Sequence, residues 1–409
     1  MPNTLDFNQA AEVLNTLQYQ VTGQKGITPT NTSEFVAVAQ SLLLNGYDPI
    51  LNALSQVISR TIFSVRPYYR KFLGLETEGV RWGNITRKIS FGDKELVNDQ
   101  RFEWPVAYDS TQTTNPYGDG VSVDMYTISK TKVMQTNFYG QNVYQYDETI
   151  FRDQLDAAFH DAAEFGRFYG ALTMHRSNVM EQYRESTARL VLANLIAGVL
   201  AENNPNRVVK LLTEYNTATG QSYTSTSILE PANWKAFTQW AYARIAALTA
   251  MMTERTTLFQ TTINDFVVNR HTPYDRQKVY LATPVRVQME MMALADIYHD
   301  TFLRMADNEN VNYWQSPEHP LEISITPVTT NATGAAEKAT TNITQDNIFG
   351  VIFDEEAAGY AILNYWSLPT PFNTHGGYWN ITDHANVGVW TDFTEKAVVL
   401  LLEETWLLL

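Results

Sequence analysis

Apolar residues recur at helical spacing through residues 161–203. Proline is absent between Pro116 and Pro205, so nothing there interrupts a helix. One stripe, with intervals of seven, seven, four and seven, is formed by Phe165, Leu172, Val179, Tyr183 and Leu190. This stripe predicts a single helix of roughly 60 Å, at 1.5 Å per residue, with one buried face. Gly166 and Gly170 each cost about 1 kcal/mol relative to alanine, so the helix could break there.

A period of two appears near the C-terminus, at residues 378–393. The odd positions are mainly apolar and the even positions mainly polar, which predicts a strand with one buried face. The unbroken run AVVLLL at residues 397–402 follows, and it predicts a strand buried on both faces. We therefore expect the chain to end by inserting strands into a sheet begun earlier.

Residues 80–146 combine short strand-like runs with a turn-rich stretch at 109–120. Apolar and polar residues alternate at 121–126, which is typical of a half-exposed strand. The segment has too few apolar residues for a core of its own. It therefore predicts a projecting β-hairpin, and a projection of this kind usually rests on another molecule.

Residues 1–46 are polar, with short apolar patches, and predict an extended arm that carries one or two short helices. Asp48 followed by Pro49 predicts the start of a further helix, because aspartate is a good N-cap and proline suits the first helical position. That helix should end before Pro67.

The central part of the chain mixes both patterns. Residues 233–256 predict a helix, and a strand ending at Thr283 predicts a second helix that begins with Pro284. The buried face predicted for that second helix consists of Val287, Met291, Leu294, Tyr298 and Phe302. Residues 325–347, rich in Thr, Asn and Ala, predict a surface loop, and residues 347–366 predict two strands around an acidic turn.

The composition of the chain excludes several classes of function. The chain has 409 residues, of which 44% are hydrophobic, so two or three lobes with large cores are expected. Its net charge of −15 argues against a tight grip on nucleic acid or an anionic membrane. It contains no cysteine, which excludes disulfides and thiol chemistry. The first basic residue is Lys25 and the longest apolar run has six residues, so neither a signal peptide nor a membrane span is predicted.

Candidate chemistry is sparse, because phosphate-binding loops, HExxH and GxSxG are all absent. His160 and Glu164 lie one helical turn apart, but two ligands do not make a metal site. An acidic cluster at Asp354, Glu355 and Glu356, with a second at residues 402–406, could supply the carboxylate pair of a glycosidase. Acidic turns are nevertheless common on negatively charged surfaces.

The stretch THGGYWNITDHANVGVW at residues 374–390 contains two histidines and an aspartate, which is how a catalytic site can look. In a strand, however, the adjacent Asp383 and His384 point to opposite sides of the sheet, so they cannot form a hydrogen-bonded acid–base pair. His375 lies beside Gly376 and Gly377, in a predicted turn. We predict no catalytic, cofactor-binding or metal-binding residue, no cofactor, and no enzyme activity.

Three stretches resemble the major capsid proteins of tailed bacteriophages, which have the Hong-Kong-97-type fold, especially those of small short-tailed phages. Residues 132–155 resemble the descending strand of the family's hairpin, followed by an Asp–Glu turn into the long spine helix. Residues 278–291 resemble the strand–cap–proline–helix step of its axial lobe. Residues 376–403 resemble the terminal strand pair of its peripheral lobe.

The resemblance implies an α+β, Hong-Kong-97-type capsid fold in six parts. In chain order these are an N-terminal arm (1–47), a first helix and connector (48–79), an extended β-hairpin (80–146), a peripheral domain with the spine helix (147–205), an axial domain with the surface loop 325–347 (206–375), and return strands completing the peripheral domain (376–409).

The resemblance also implies a partner set and a location. The chain itself would form hexamers and pentamers of an icosahedral shell, clasped by hairpins and arms. A packaged double-stranded DNA genome would be confined without specific binding, and a portal would admit it. The short N-terminal segment favours a separate scaffolding protein over a long cleaved extension. The expected location is the virion, assembled in the host bacterial cytoplasm.

Covalent cross-linking through lysine and asparagine is known in some members of the family. Four lysines of the predicted hairpin could take part: Lys88, Lys94, Lys130 and Lys132. No partner asparagine is identifiable, so cross-linking is not predicted. Two other functions stay open at this point, namely another virion component such as a tail or decoration protein, and an acidic carbohydrate-active enzyme.

Overall fold

The computed structural model describes residues 7–23, 28–43, 68–77, 86–94, 125–126, 128–138, 140–153, 162–263, 266–283, 286–287, 308–330 and 335–402. Six α-helices lie wholly within these residues: α1 (Phe7–Thr22), α2 (Thr32–Leu43), α3 (Ala162–Glu202), α4 (Leu211–Thr219), α5 (Ser225–Ile228) and α6 (Pro231–Met252). The strands are β1 (Thr86–Phe91), β2 (Val133–Phe138), β3 (Gly140–Phe151), β4 (Val208–Lys210), β5 (Gln277–Ala282), β6 (Asn308–Val311), β7 (Ile323–Ile325), β8 (Val328–Thr330), β9 (Ala336–Lys338), β10 (Ile343–Gln345), β11 (Ile348–Asp354), β12 (Ala358–Pro369), β13 (Tyr378–Thr391) and β14 (Ala397–Leu401).

A five-stranded sheet with the order β4-β14-β11-β5-β6 divides the core in two. Alternate residues of its strands enter different clusters, since Val399 packs on the side of α3 while Val398 packs on the side of α6. Both faces are therefore covered, and all five residues of β14 are buried. This confirms the predicted strand with two buried faces.

A three-stranded sheet with the order β12-β13-β3 lies against α3. Its central strand β13 pairs along nearly its whole length with both neighbours, each antiparallel to it. Burial alternates from Tyr378 to Val387, so Trp379, Ile381 and Val387 face the core. The predicted strand and its buried face are confirmed.

The long helix α3 is continuous over 41 residues, so Gly166 and Gly170 do not break it. The predicted stripe is wrong at Leu190, which is 50% exposed. The C-terminal half of α3 contacts strands of both large sheets, and it is therefore buried on several sides instead of one. Its buried apolar residues are Ala188, Val191, Leu192, Ala193, Leu195, Ile196, Ala197 and Val199.

Close contact of α3 with the chain that joins the two sheets depends on a glycine. A Cβ atom built on Gly198 would lie 2.2 Å from Cε1 of Phe393, whose side chain is buried. Phe393 belongs to the short link between β13 and β14. The absence of a side chain at Gly198 thus lets this link pack directly on the helix backbone.

Three predictions about connections are wrong. The turn expected at Asp147–Glu148 does not exist, because both residues lie within β3 and pair with β13. The terminal strands do not pair with each other: β14 enters the five-stranded sheet between β4 and β11, the sheet of the region assigned to the axial domain. Residues 325–347 are largely exposed as expected, but they form short paired strands because β8 pairs with β9 and β10 with β7.

The N-terminal segment contains the two expected helices, α1 and α2, but it does not extend from the body as predicted. Both helices contact α3, and the buried residues of α1 include Ala10, Leu14 and Leu17. An apolar stripe on a short helix gains more from packing on the same chain than from remaining in solvent.

The other predicted elements are partly visible. The helix at 231–252, the strand β5 and the strands β11 and β12 around the acidic turn are confirmed. Val287 is 45% exposed, although it was predicted to be buried. The helix predicted after Asp48, the turn-rich stretch 109–120 and the rest of the helix after Pro284 lie outside the described residues.

Candidate assembly surface

Strands β1 and β2 form an antiparallel hairpin with three exposed apolar side chains on its outer face. The register places Phe91 opposite Val133 and Ile89 opposite Gln135, so these side chains share one face. Ile89, Phe91 and Val133 are 58%, 66% and 55% exposed. We call these three residues the outer face. Large apolar side chains grouped on an exposed strand pair are typical of a surface that another molecule covers.

The apolar character continues beyond the paired strands. Met125, Tyr126 and Ile128 precede β2 and are each at least 79% exposed. The predicted hairpin is therefore confirmed in its paired base, and the part that approaches its tip is also apolar.

The opposite face of the hairpin rests on the body through charged groups. Lys88 Nζ lies 3.0 Å from Asp392 Oδ2 and 3.2 Å from Glu356 Oε2, and it also donates to Glu395. Arg270 contacts the same Glu395 carboxylate at 2.9 Å. We call Lys88, Arg270, Glu356, Asp392 and Glu395 the anchor cluster. It joins the hairpin to the segment before β5, to the acidic turn after β11 and to the link between β13 and β14.

The pKa values in the anchor cluster reflect its burial and its charges. Burial alone would lower the pKa of Lys88, but the neighbouring carboxylates of Asp392 and Glu395 outweigh it and raise that pKa. Burial raises the pKa of Glu395, although Lys88 and Arg270 act in the opposite direction. Lys88 is therefore held charged, whereas the charge on Glu395 is only partly compensated.

A second attachment lies just beyond β1. The amide of Asp93 donates to the Val267 carbonyl at 3.1 Å, and the Asp93 carboxylate accepts from the Asn269 amide at 2.5 Å. Arg255 also pairs with Asp93. A Cβ atom on Gly92 would lie 2.9 Å from the Phe266 ring, so glycine permits this close approach.

The histidine-rich stretch at residues 374–390 is structural. Asp383 is 2% exposed and accepts a hydrogen bond from Arg176 Nε of α3 at 2.9 Å, within a buried ion pair. His384 lies on the other face of the sheet, where its ring stacks on Trp366 with centroids 5.1 Å apart. The predicted separation of Asp383 from His384 is confirmed, and the pair cannot act as acid and base together.

The acidic residues at the β11–β12 turn each have a structural partner. Buried Asp354 accepts a hydrogen bond from Thr272 Oγ1 at 2.7 Å and one from the Glu356 amide at 2.9 Å. Arg276 pairs with Glu355 and Glu356, at 3.4 and 3.1 Å. These contacts brace a turn, and they do not form two carboxylates facing each other across a cleft.

A cleft of about 400 Å³ lies between α3 and two tyrosines, Tyr68 and Tyr313. Its acidic residue Glu185 accepts a hydrogen bond from Tyr68 Oη at 2.7 Å and pairs with Arg189 at 2.6 Å. The hydrogen bond to Glu185 raises the pKa of Tyr68 to about 12. Among the described residues that line this cleft, Glu185 is the one carboxylate, and it is engaged in structural contacts.

No group of three or more metal-ligating side chains occurs in the described part of the chain. His160 and the side chain of Glu164 lie outside what the structure describes. Within the described ranges no helix is long and apolar enough to cross a membrane.

The anchor cluster was missed by the sequence analysis, since Lys88 and Glu395 are 307 residues apart in the chain. Lys396 was also missed, although it directly precedes the predicted strand at residues 397–402. This buried lysine donates to the carbonyls of Met252 and Glu254, at 3.2 and 2.6 Å, and so caps the end of α6. Burial lowers the pKa of Lys396 to about 8. A charged pair, Glu395–Lys396, next to a strongly apolar run is the one local signal of both features.

The sequence profile of the Phi29-like phage major capsid protein family matches residues 13–401. The chain belongs to this family. Its members are structural capsid proteins and not enzymes, which removes the glycosidase alternative and also the tail or decoration alternative. The protein is therefore a phage major capsid protein and a component of the virion, and relatives of this kind form shells of self-assembled subunits.

Solved phage structures agree with the family assignment in fold. A chain in the capsid structure of Staphylococcus phage Andhra has 7% sequence identity and a TM-score of 0.51, covering 84% of this chain and 87% of that one. A chain in a structure titled as the head fiber and inner core protein gp22 of native bacteriophage P68 has 8% identity and a TM-score of 0.51, covering 83% and 86%. No protein of curated function matches the sequence. The predicted α+β, Hong-Kong-97-type fold is confirmed at the level of the fold.

Proposed function

We propose that this capsid protein assembles into hexamers and pentamers of an icosahedral shell that encloses a packaged double-stranded DNA genome. The observation that carries the proposal is the outer face of the hairpin. Ile89, Phe91 and Val133 are more than half exposed, while the opposite face of the same hairpin is held on the body. The occupant we propose for this apolar strip is a neighbouring copy of the same chain.

The expected strength of this contact is modest. Complete burial of a large aliphatic or aromatic side chain gives about 1.5–3 kcal/mol. Because Ile89, Phe91 and Val133 are already partly covered, each should contribute about 1 kcal/mol when a neighbour buries the rest. Weak contacts repeated by symmetry suit a closed shell, since subunits that add wrongly can leave again before closure.

We propose that the shell encloses the DNA without binding it tightly. A net charge of −15 disfavours neutralisation of many phosphates by the protein, which is what tight nucleic-acid binding requires. In this proposal a portal admits the genome, a separate scaffolding protein guides assembly, and both steps occur in the host cytoplasm.

The test is assembly of a variant with a polar outer face. Ile89→Ser combined with Phe91→Ser should leave the subunit folded, because both side chains are exposed, yet prevent shell formation with the scaffold. Leu73→Ser is a matched control, since Leu73 is 60% exposed at a different site. Negative-stain microscopy and sedimentation measure the outcome. Normal shells from the double variant would show that this face is not an assembly contact.

A further inference from the structure

The attachment of the hairpin to the body includes buried polar and charged side chains. The register places Lys88 opposite Thr136 and Ser90 opposite Met134 on the inner face. Met134 is the one strongly apolar side chain among these four. Ser90 is buried, and its hydroxyl accepts a hydrogen bond from Arg270 Nη2 at 2.8 Å. Polar and ionic contacts therefore surround Lys88 and Ser90, and the apolar side chains of this face are the half-buried Met134 and Phe138.

The charges at this junction are unequal. Two cations, Lys88 and Arg270, face three carboxylates, those of Glu356, Asp392 and Glu395. The side chains of Asp392 and Glu395 are only 3% and 4% exposed, so water does little to screen them. Charged groups of the surrounding elements that also act here are Asp354, Arg276, Arg207 and Lys396.

Lys88 has a special place among these groups, because it is the cation that the hairpin itself contributes to the cluster. Its ammonium group contacts all three carboxylates, which come from two separate connections of the body. Without this charge, the hairpin would lie against the buried carboxylates of Asp392 and Glu395, while Arg270 would still pair with Glu395 and Arg276 with the exposed Glu356.

We infer that Lys88 is a positioning residue that holds the hairpin on the body, and that the grip depends on this cation and not on any single carboxylate. The inference rests on the proposed role of the hairpin as an assembly contact, since it concerns the direction in which the outer face is presented. The cluster has one carboxylate more than it has cations. Removing one negative charge therefore leaves the hairpin docked, whereas removing Lys88 releases it.

The response of the anchor cluster to mild acid follows from the same charge count. Burial raises the pKa of Glu395 although Lys88 and Arg270 act in the opposite direction, so this carboxyl takes up a proton more readily than an exposed glutamate does. Because the cluster has one carboxylate more than it has cations, protonation of Glu395 in mild acid should leave the hairpin docked. Lys88, whose pKa is raised, remains charged until strongly alkaline pH.

The absence of cysteine makes the inference directly measurable on the full-length, unassembled chain. Spin labels at Gln135→Cys, on the hairpin, and Ala218→Cys, on α4, report the hairpin-to-body distance by pulsed electron resonance. The unaltered cluster should give a narrow distribution at pH 7.5 and at pH 5.5. Lys88→Met should broaden it several-fold, while Glu395→Gln and the control Lys94→Met should leave it narrow.

Thermal unfolding of each variant shows whether the body remains folded. Lys88→Gln, which keeps a polar group in the cluster, replaces Lys88→Met if the latter fails to fold. An unchanged distribution in a folded Lys88 variant would overturn the inference, and so would a Glu395→Gln distribution as broad as that of Lys88→Met. Because the measurement uses unassembled subunits, its failure is independent of whether the outer face is an assembly contact.

Discussion

Substitution of Asp383 tests the contribution of the buried ion pair that joins the three-stranded sheet to α3. Its carboxylate lies with Arg176 in a buried ion pair, with exposures of 2% and 4%. The guanidinium group also lies 3.3 Å from Ser367 Oγ and close to the Tyr365 hydroxyl, but both of these partners are uncharged. Asp383→Ala would thus leave a buried cation without its counter-charge, which costs about 3–5 kcal/mol of unfolding free energy.

The neighbouring residue supplies the matched control. His384→Ala removes only a ring stacked on Trp366 at the partly exposed face, so the expected loss is about 1 kcal/mol or less. The double variant Arg176→Met/Asp383→Leu should recover most of the loss, because a well-packed apolar pair avoids the cost of burying charge. Urea unfolding of the unassembled subunit measures all three changes.

Two outcomes would refute this reasoning. Equal losses for Asp383→Ala and His384→Ala would mean that the two side chains do not occupy opposite faces. A double variant as unstable as Asp383→Ala would mean that the loss comes from the packing of the strand and not from the stranded charge.

Further predictions concern α3 and the C-terminal strand region. Gly198→Ala should destabilise the subunit by about 1–3 kcal/mol, because its Cβ would overlap the Phe393 ring, whereas Gly170→Ala, which meets nothing within 4 Å, should stabilise it by up to about 1 kcal/mol in thermal or urea unfolding. The lowered pKa of Lys396, about 8, means that the folded state prefers the neutral amine, so unfolding free energy should rise by up to about 3 kcal/mol between pH 8 and 10.5. Lys396→Met should remove that rise in urea titrations, and Lys338→Met, on an exposed strand, should not.

Elements with a strong local pattern could be predicted from the sequence. The 41-residue helix, the alternating strand β13 and the doubly buried strand β14 each depend on periodicity that a short window contains. The error at Leu190 has a physical cause. A stripe of spaced apolar residues describes a helix with one neighbour, and α3 contacts two sheets.

Pairing between distant segments could not be predicted in the same way. Nothing local indicates that Asp147 and Glu148 continue a strand, because their polarity is explained only by the β13 residues opposite them, such as Thr382, whose hydroxyl donates to Asp147 at 2.6 Å. The anchor cluster could not be predicted for the same reason. The sequence around Lys88 indicates an exposed lysine, and only the fold places Asp392 and Glu395 beside it. Self-assembly itself was inferred from a resemblance in element order, while the residues of the outer face emerged only from the register of β1 and β2.

The late position of β13 and β14 in the chain has a consequence for biosynthesis. β13 is the middle strand of its sheet, and β14 separates β4 from β11. The neighbours of these strands, β3, β4, β11 and β12, are all synthesised earlier, so neither sheet can be completed until residues 378–401 have been made. The link that carries Asp392 and Glu395 is synthesised equally late. Synthesis of this segment therefore precedes both completion of the two sheets and docking of the hairpin through the anchor cluster.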